Sequence, residues 1–107
     1  MIPADAARLQ DVYRRESVSL LRYTCSAAPY AAGADRKLRD DLFRAAAEAG
    51  AALDGLGAVL DADRIDVPPD GPFPAVFTDL NCVAVRYLIS KAAADRAAAV
   101  TALEADL

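Results

Sequence analysis

Residues 76–89, with the sequence VFTDLNCVAVRYLI, decide the fold class because they are apolar on nearly all sides of a helix. Their only overtly polar side chains are Thr78, Asp79, Asn81 and Arg86. At about 100° of rotation per residue, one side is covered by Val76, Leu80, Val83, Ala84, Tyr87 and Leu88, and much of another by Cys82, Val85 and Ile89. Such a helix lies at the centre of a bundle rather than at its edge. We therefore predict an all-α fold around a third helix at about residues 76–105.

Two helices are predicted before this segment. The first, at about residues 4–28, carries an apolar stripe that consists of Leu9, Val12, Leu20, Tyr23 and Ala27 and contains Glu16. A second apolar group on nearly the opposite side comprises Val18, Leu21 and Cys25. Pro29 ends this helix, because the residue before a proline is disfavoured in the helical region. The second helix, at about residues 35–61, begins near Asp35, a typical N-cap. Residues 62–74 contain four of the six prolines and form the connection to the third helix.

The chain has 107 residues, which fits a single domain, residues 1–107, with one core. About a quarter of the residues are alanine, which favours helix but buries little apolar area. Three long helices with apolar side chains on more than one face expose surplus apolar surface, so we expect a homodimer to complete the bundle. A lone three-helix monomer is the alternative. The residues predicted at the dimer interface are Val18, Leu21, Cys25, Cys82, Val85 and Ile89.

Charge and composition exclude several function classes. The net charge is −4, and an acidic chain without a basic stripe argues against nucleic-acid binding. No apolar run approaches the roughly 18 residues of a membrane span, and the N-terminus resembles no signal peptide, so we expect a cytoplasmic protein. The chain contains no His, which excludes Ser-His-Asp and Cys-His nucleophile systems and His-based zinc sites. Cys25 and Cys82 form no CxxC motif and are predicted to be buried, reduced thiols.

Glu16 is the one unusual residue, because it lies in the middle of the apolar stripe of the first helix. An ionised carboxylate in a core is costly unless it is paired, hydrogen-bonded or bound to a cation. One interpretation is an ion pair with an Arg of a neighbouring helix, or a hydrogen bond from a Tyr hydroxyl. The other is a carboxylate that binds a metal or a ligand.

The sequence around Glu16 supports a family resemblance. Glu16-Ser17 followed by Arg22-Tyr23-Thr24 is similar to the first-helix motif of rubrerythrins and other ferritin-like di-iron proteins, in which a metal-binding Glu precedes a Tyr by seven residues. Ala47-Glu48 aligns with the second helix of that family, and Arg86-Tyr87 repeats Arg22-Tyr23 as its helix-pair duplication implies. The chain thus resembles small bacterial ferritin-like proteins. The resemblance implies a helical bundle with Glu16, Tyr23 and Tyr87 as candidate buried polar or ligand residues, and Glu16 and Glu48 as candidate metal ligands.

The ligand set of that family is largely missing from this sequence. Its second helix carries a Glu-x-x-His motif that faces inward, whereas the corresponding residues here, Gly50-Ala51-Ala52-Leu53, contain no ligand atom. The position of the second Glu, seven residues before Tyr87, is occupied by Leu80. One carboxylate per chain does not hold a di-iron centre, so we assign no catalytic residue, no metal and no cofactor.

These observations predict a ferritin-like helical bundle without a di-iron centre, which acts as a binding or interaction module through homodimerisation. The alternative is an iron- or manganese-binding oxidoreductase with its carboxylate site at Glu16. A third hypothesis is a pocket for a small apolar ligand, since the small side chains of alanine-rich helices leave unfilled space between them.

Overall fold

Four α-helices and one 3₁₀ helix make up the fold in the computed structural model, which describes residues 1–106. The α-helices are α1 (Pro3–Ser17), α2 (Leu20–Tyr23), α3 (Asp35–Ala62) and α4 (Val85–Ala105), and the 3₁₀ helix is Ala75–Leu80. Within the described residues, the only β-type pairing is an isolated bridge between Tyr30 and Ala84. The protein is therefore all-α. The second predicted helix, 35–61, corresponds to α3, whereas the first and third predicted helices differ from the observed ones.

The first predicted helix is broken at Val18 and Ser19. Ser19 adopts an extended conformation and its hydroxyl accepts a hydrogen bond from the backbone N–H of Arg22, so it is the N-cap of α2. Serine is favoured at this position because its side chain satisfies a free N–H of the new helix. The hydroxyl of Thr24 bonds to the carbonyl of Leu21 as α2 ends. The prediction of one helix over 4–28 is therefore wrong, because local hydroxyl groups compete with the helical hydrogen bonds.

The third predicted helix begins later than expected. The 3₁₀ helix ends at Leu80, and Cys82 has a φ of +59°, which no α-helix accommodates. The backbone of this stretch pairs with the turn after α2: Cys82 N–H donates to the carbonyl of Ala27 at 2.8 Å, and Val85 N–H donates to that of Tyr30 at 3.0 Å. The segment 81–84 is a turn that leads into an isolated bridge at Ala84, because these tertiary partners replace intrahelical ones. The regular helix starts at Val85 instead of near residue 76.

The connection between α3 and α4 runs back along α1 and α2. The side-chain amide of Gln10 donates to the carbonyl of Asp66 at 2.9 Å, near the start of this path. Further on, the ring of Tyr23 contacts the rings of Phe73 and Phe77, with centroids 5.2 and 5.5 Å apart. Residues 63–84 thus lie beside the first two helices as a fourth segment that includes the 3₁₀ helix. α4 then runs in the same direction as α3, since Arg86 at its start pairs with Asp35 at the start of α3.

The hydrophobic core is concentrated at the α2 end of the molecule. One cluster of buried side chains there comprises Leu20, Tyr23, Ala27, Leu42, Val85, Leu88 and Ala92. By contrast, Ser17 is the one buried residue of α1, and α3 buries only Leu53 and Leu60 beyond Ala46. The end formed by α1 and the last turns of α3 and α4 is consequently thinly packed.

This packing corrects several predicted positions. Val85 was expected at a dimer interface, but it is only 1% exposed within a single chain and is unavailable to a partner. Leu21 and Ile89 are partly buried against the same core cluster, while Val18 is half-buried. Cys25 and Cys82 are free thiols and both are exposed, so the prediction of buried thiols is wrong. Cys25 and Cys82 are exposed because each lies in a turn, whereas the predicted burial assumed unbroken helices.

We predict that Leu88→Ala lowers the free energy of unfolding by about 2–5 kcal/mol, because Leu88 is fully buried in the core cluster and truncation leaves a cavity. Leu103→Ala is the matched control: this side chain lies on the same helix but is 39% exposed, and its loss is expected to cost about 1 kcal/mol or less. Urea unfolding followed by circular dichroism measures both. Equal losses would contradict the asymmetric core.

Candidate functional site

Glu16 is paired with Arg96, which lies on α4. Nη1 of Arg96 donates to Oε2 of Glu16 at 2.7 Å, and the two side chains are 35% and 30% exposed, respectively. A half-buried pair at this distance is a charge-assisted hydrogen bond rather than a loose surface contact. The carboxylate in the apolar stripe is thus satisfied by a guanidinium group from another helix, which is one of the two arrangements that the sequence analysis considered.

The neighbouring residue, Asp95, holds the break between α1 and α2. Its Oδ2 accepts a hydrogen bond from the backbone N–H of Leu20, the first residue of α2, at 3.1 Å. On the other side of the break, Nη1 of Arg22 donates to the carbonyl of Ser17 at 2.6 Å. The Leu20 N–H and the Ser17 carbonyl, which lie on the two sides of the break, are therefore both hydrogen-bonded to side chains, as buried polar groups normally are.

A second set of ion pairs joins α1 to the end of α4. Arg15 donates to Asp11 on its own helix and, at 2.9 Å, to Asp106 beyond the end of α4. These two hydrogen bonds raise the pKa of Arg15 above its ordinary value. Together with the Glu16–Arg96 pair, they connect α1 and α4 through charged groups.

An apolar cleft of about 420 Å³ lies between α1, α3 and α4. It is lined by Val12, Glu16, Leu21, Ala49, Ala52, Leu53, Leu56, Arg96 and Leu103. The wall from α3 is shallow at Ala49 and Ala52, because a methyl group leaves space that a larger side chain would fill. The Glu16–Arg96 pair supplies the charged groups of an otherwise hydrocarbon lining. We refer to this space as the α1/α3/α4 cleft.

Arg96 has more hydrogen-bonding capacity than Glu16 uses. Its Nε and Nη2 atoms are buried, and neither has a hydrogen-bond partner among residues 1–106. The two N–H groups on this edge of a guanidinium are parallel, which is the geometry that receives both oxygens of a carboxylate. Buried donors without an acceptor are rare in folded proteins, so this covered edge of Arg96 is the strongest chemical feature beside the cleft.

The other predicted site residues lie elsewhere. Tyr23 is buried in the core, and its hydroxyl donates to Oδ1 of Asn81 at 2.6 Å. Tyr87 was expected to be buried but is 50% exposed, with the ammonium group of Lys91 5.3 Å from its ring centroid, because α4 turns this side away from the core. Glu48 is exposed on α3. None of the three lines the α1/α3/α4 cleft.

The metal-ligand candidates are not assembled into a cluster. Across residues 1–106, no group of three or more His, Cys, Asp or Glu side chains is placed to hold a metal ion. No helix in that part of the chain is both long and apolar enough to cross a membrane.

Sequence reasoning overlooked Asp95 and Arg96. Both could have been found, because the buried positions of α4 recur at Val85, Leu88 and Ala92 and the same spacing continues to Asp95 and Arg96. Two charged residues on the core-facing side of an alanine-rich helix indicate partners on a neighbouring helix. The partners themselves, the Leu20 N–H and Glu16, depend on the break in the first helix, which the periodicity did not reveal.

Comparison with known proteins gave no match to a family model, to a curated protein or to a solved structure. The resemblance to ferritin-like proteins therefore rests on the sequence motifs around Glu16 and Tyr87 alone.

We predict a coupling free energy of about 1–2 kcal/mol between Glu16 and Arg96, because the pair is half-buried and its removal leaves a charge without a partner. The measurement is a double-mutant cycle of Glu16→Ala, Arg96→Ala and the double variant in urea unfolding. The matched control is the exposed Lys37–Asp41 pair of α3, for which we expect about 0.5 kcal/mol or less. A Glu16–Arg96 coupling no larger than the control would contradict a structural role of the pair.

Proposed function

We propose that the chain is a non-catalytic interaction module that works as a homodimer, and that it is a ferritin-like bundle without a di-iron centre. The main support is the amount of surface that one copy leaves exposed.

The accessible surface of a single copy is larger than a chain of this size normally has. It is 6687 Å² for a mass of 11.3 kDa, whereas a compact chain of that mass exposes about 5,700 Å². The excess of about 1,000 Å² is comparable to the roughly 800 Å² that each partner buries in a standard interface. The elongated shape, 51 × 24 × 22 Å, produces this excess. Association with a second copy would return the surface to an ordinary value.

The best candidate face lies where α4 meets the 3₁₀ helix, and we refer to it as the α4 flank. It consists of Val18, Val76, Phe77, Leu80, Tyr87, Lys91, Asp95 and Ala98, which line two adjoining clefts of about 490 and 350 Å³. Val76, 64% exposed, projects between the two clefts. Of the residues predicted at the interface, only Val18 belongs to this face.

The α4 flank is complementary to itself. A two-fold dimer brings the same patch of both copies together, so each feature needs its counterpart on the same surface. Here Val76 supplies a projecting side chain beside clefts that can receive one. Lys91 and Asp95 supply opposite charges one helical turn apart, so two antiparallel copies of α4 would place each lysine near the aspartate of the other copy. Ala98 allows close approach of the two helices.

The carboxylate-metal alternative is less favoured by the contacts of Glu16. Its Oε2 accepts a hydrogen bond from Arg96, so a metal would have to displace a guanidinium group. Glu48, the second candidate, is exposed on α3 and lies outside the cleft. A stoichiometric amount of iron or manganese in the purified protein would nevertheless overturn the proposal of a non-catalytic module.

We predict that the protein sediments as a dimer of about 23 kDa, twice the 11.3 kDa of one chain, at micromolar concentration. Val76→Asp is expected to shift it to the monomer, because the charge would be buried at the centre of the interface. Since Val76 is exposed in one copy, the fold should remain intact. Val59→Asp, an exposed valine of α3 outside the α4 flank, is the control and should stay dimeric.

Sedimentation velocity separates the outcomes. A monomeric parent protein would contradict the homodimer. A dimer that persists in Val76→Asp but dissociates in Val59→Asp would place the interface on α3 and contradict the α4 flank.

A further inference from the structure

We propose that the α1/α3/α4 cleft binds an aliphatic monocarboxylate, with the carboxylate held by the Nε–H and Nη2–H groups of Arg96 and the hydrocarbon chain lying along the cleft. The site is contained in one chain, so the proposal does not depend on dimerisation.

Only part of the Arg96 guanidinium group is hydrogen-bonded in the free protein. Glu16 accepts only from Nη1, and the buried Nε–H and Nη2–H groups have no acceptor among residues 1–106. Leaving charged donors without acceptors inside a protein costs free energy. A ligand that accepts both hydrogen bonds removes this cost, which increases its affinity. A planar carboxylate matches the two parallel N–H groups, because its oxygens accept both at once.

The charge of the cleft limits the charge of the ligand. Arg96 is the only cationic group in the cleft lining, and its charge is already offset by the carboxylate of Glu16. The ligand that adds the least negative charge is therefore favoured. A phosphate, which carries up to two negative charges, would lie near Glu16 without a second cation to offset the repulsion. The site thus favours a monocarboxylate over a phosphate.

The apolar part of the lining favours a ligand with a hydrocarbon chain. Apart from Glu16 and Arg96, the cleft presents only Val, Leu and Ala side chains. Its volume of about 420 Å³ lies within the roughly 300–1,000 Å³ of small-molecule sites, which are mostly apolar with a few polar groups that fix orientation. The distance from Arg96 to Leu103 along α4 is about 10 Å, close to the length of an extended chain of about eight carbons. Octanoate is therefore a suitable probe.

Access to the guanidinium group requires a small movement. Nε and Nη2 are covered by neighbouring side chains, although the Arg96 side chain as a whole is partly exposed and lines the cleft. We infer that the terminal bonds of the Arg96 side chain rotate to bring this edge to the cleft when the ligand binds.

The test is isothermal titration calorimetry of the full chain with octanoate, acetate and octan-1-ol. We expect octanoate to bind at least about tenfold more tightly than either acetate, which lacks the chain, or octan-1-ol, which lacks the charge. Arg96→Gln should weaken octanoate about tenfold or more, and Arg96→Lys should restore little, because an ammonium group cannot form the paired hydrogen bonds. Arg86→Gln, an exposed arginine outside the cleft, should leave the affinity unchanged.

A second pair of variants tests the hydrocarbon wall without altering Arg96. Ala52→Leu fills the cleft and is expected to weaken octanoate about tenfold, whereas Ala51→Leu, an exposed neighbour on α3 that does not line the cleft, should have no effect. Both substitutions keep a good helix former, so folding should be unaffected. If Arg96→Gln fails to fold, the Ala52→Leu and Ala51→Leu comparison still decides the question.

The failure of this proposal is distinguishable from that of the dimer. Val76→Asp, which alters the α4 flank, should retain full affinity for octanoate. Octanoate that binds no better than acetate, or that binds equally well to Arg96→Gln or Ala52→Leu, would overturn the proposal whatever the oligomeric state.

Discussion

Two consecutive residues of α4 fix the break between α1 and α2, and the arrangement of the helices depends on them. Asp95 accepts the first free N–H of α2, while Arg96 donates to the carboxylate at the end of α1. Because the chain is broken at this point, α2 packs against both α3 and α4, whereas α1 packs mainly on α3 and meets α4 through ion pairs. One turn of α4 therefore satisfies a backbone group of α2 and a side-chain group of α1 on the two sides of the break.

The same break divides the molecule into two halves with different packing. Near α2, large side chains such as Leu88 and Tyr23 fill the core, and Phe73 and Phe77 from the connection cover it. Toward the other end, α3 presents Ala49 and Ala52 beside Leu53 and Leu56, and the two alanine side chains are too small to fill the space between the helices. The α1/α3/α4 cleft is the consequence. Alanine content thus favours helix formation along the chain and at the same time limits how much core those helices can form.

Glu16 shows that a carboxylate in an apolar stripe does not by itself indicate whether its partner is a metal ion or a guanidinium group. Any cation relieves the cost of burying it, whether a metal ion or a guanidinium group. The sequence motif around Glu16 is similar to a metal-binding one, but the contact that Glu16 makes in this chain is with Arg96. The function proposed here follows from that contact and from the exposed area of one copy. The ferritin-like ancestry is a hypothesis that the motifs support and that the geometry of the site does not require.

The sequence by itself determined the helical class, the bounds of α3 and the exceptional position of Glu16, because helix propensity, a stripe of apolar residues and a buried charge are all properties of local spacing. Only the tertiary structure decided where the first and third helices are interrupted. At Ser19 its own hydroxyl and, through the N–H of Leu20, the distant Asp95 replace helical hydrogen bonds. Residues 81–84 leave the helical conformation because their backbone pairs with the turn at Ala27–Tyr30. It also decided which apolar residues are buried: the periodic pattern places Val85 and Tyr87 on two different apolar sides, and α4 directs Val85 into the core and Tyr87 toward solvent. Periodicity gives the faces of a helix, and the neighbouring helices determine which of those faces is covered.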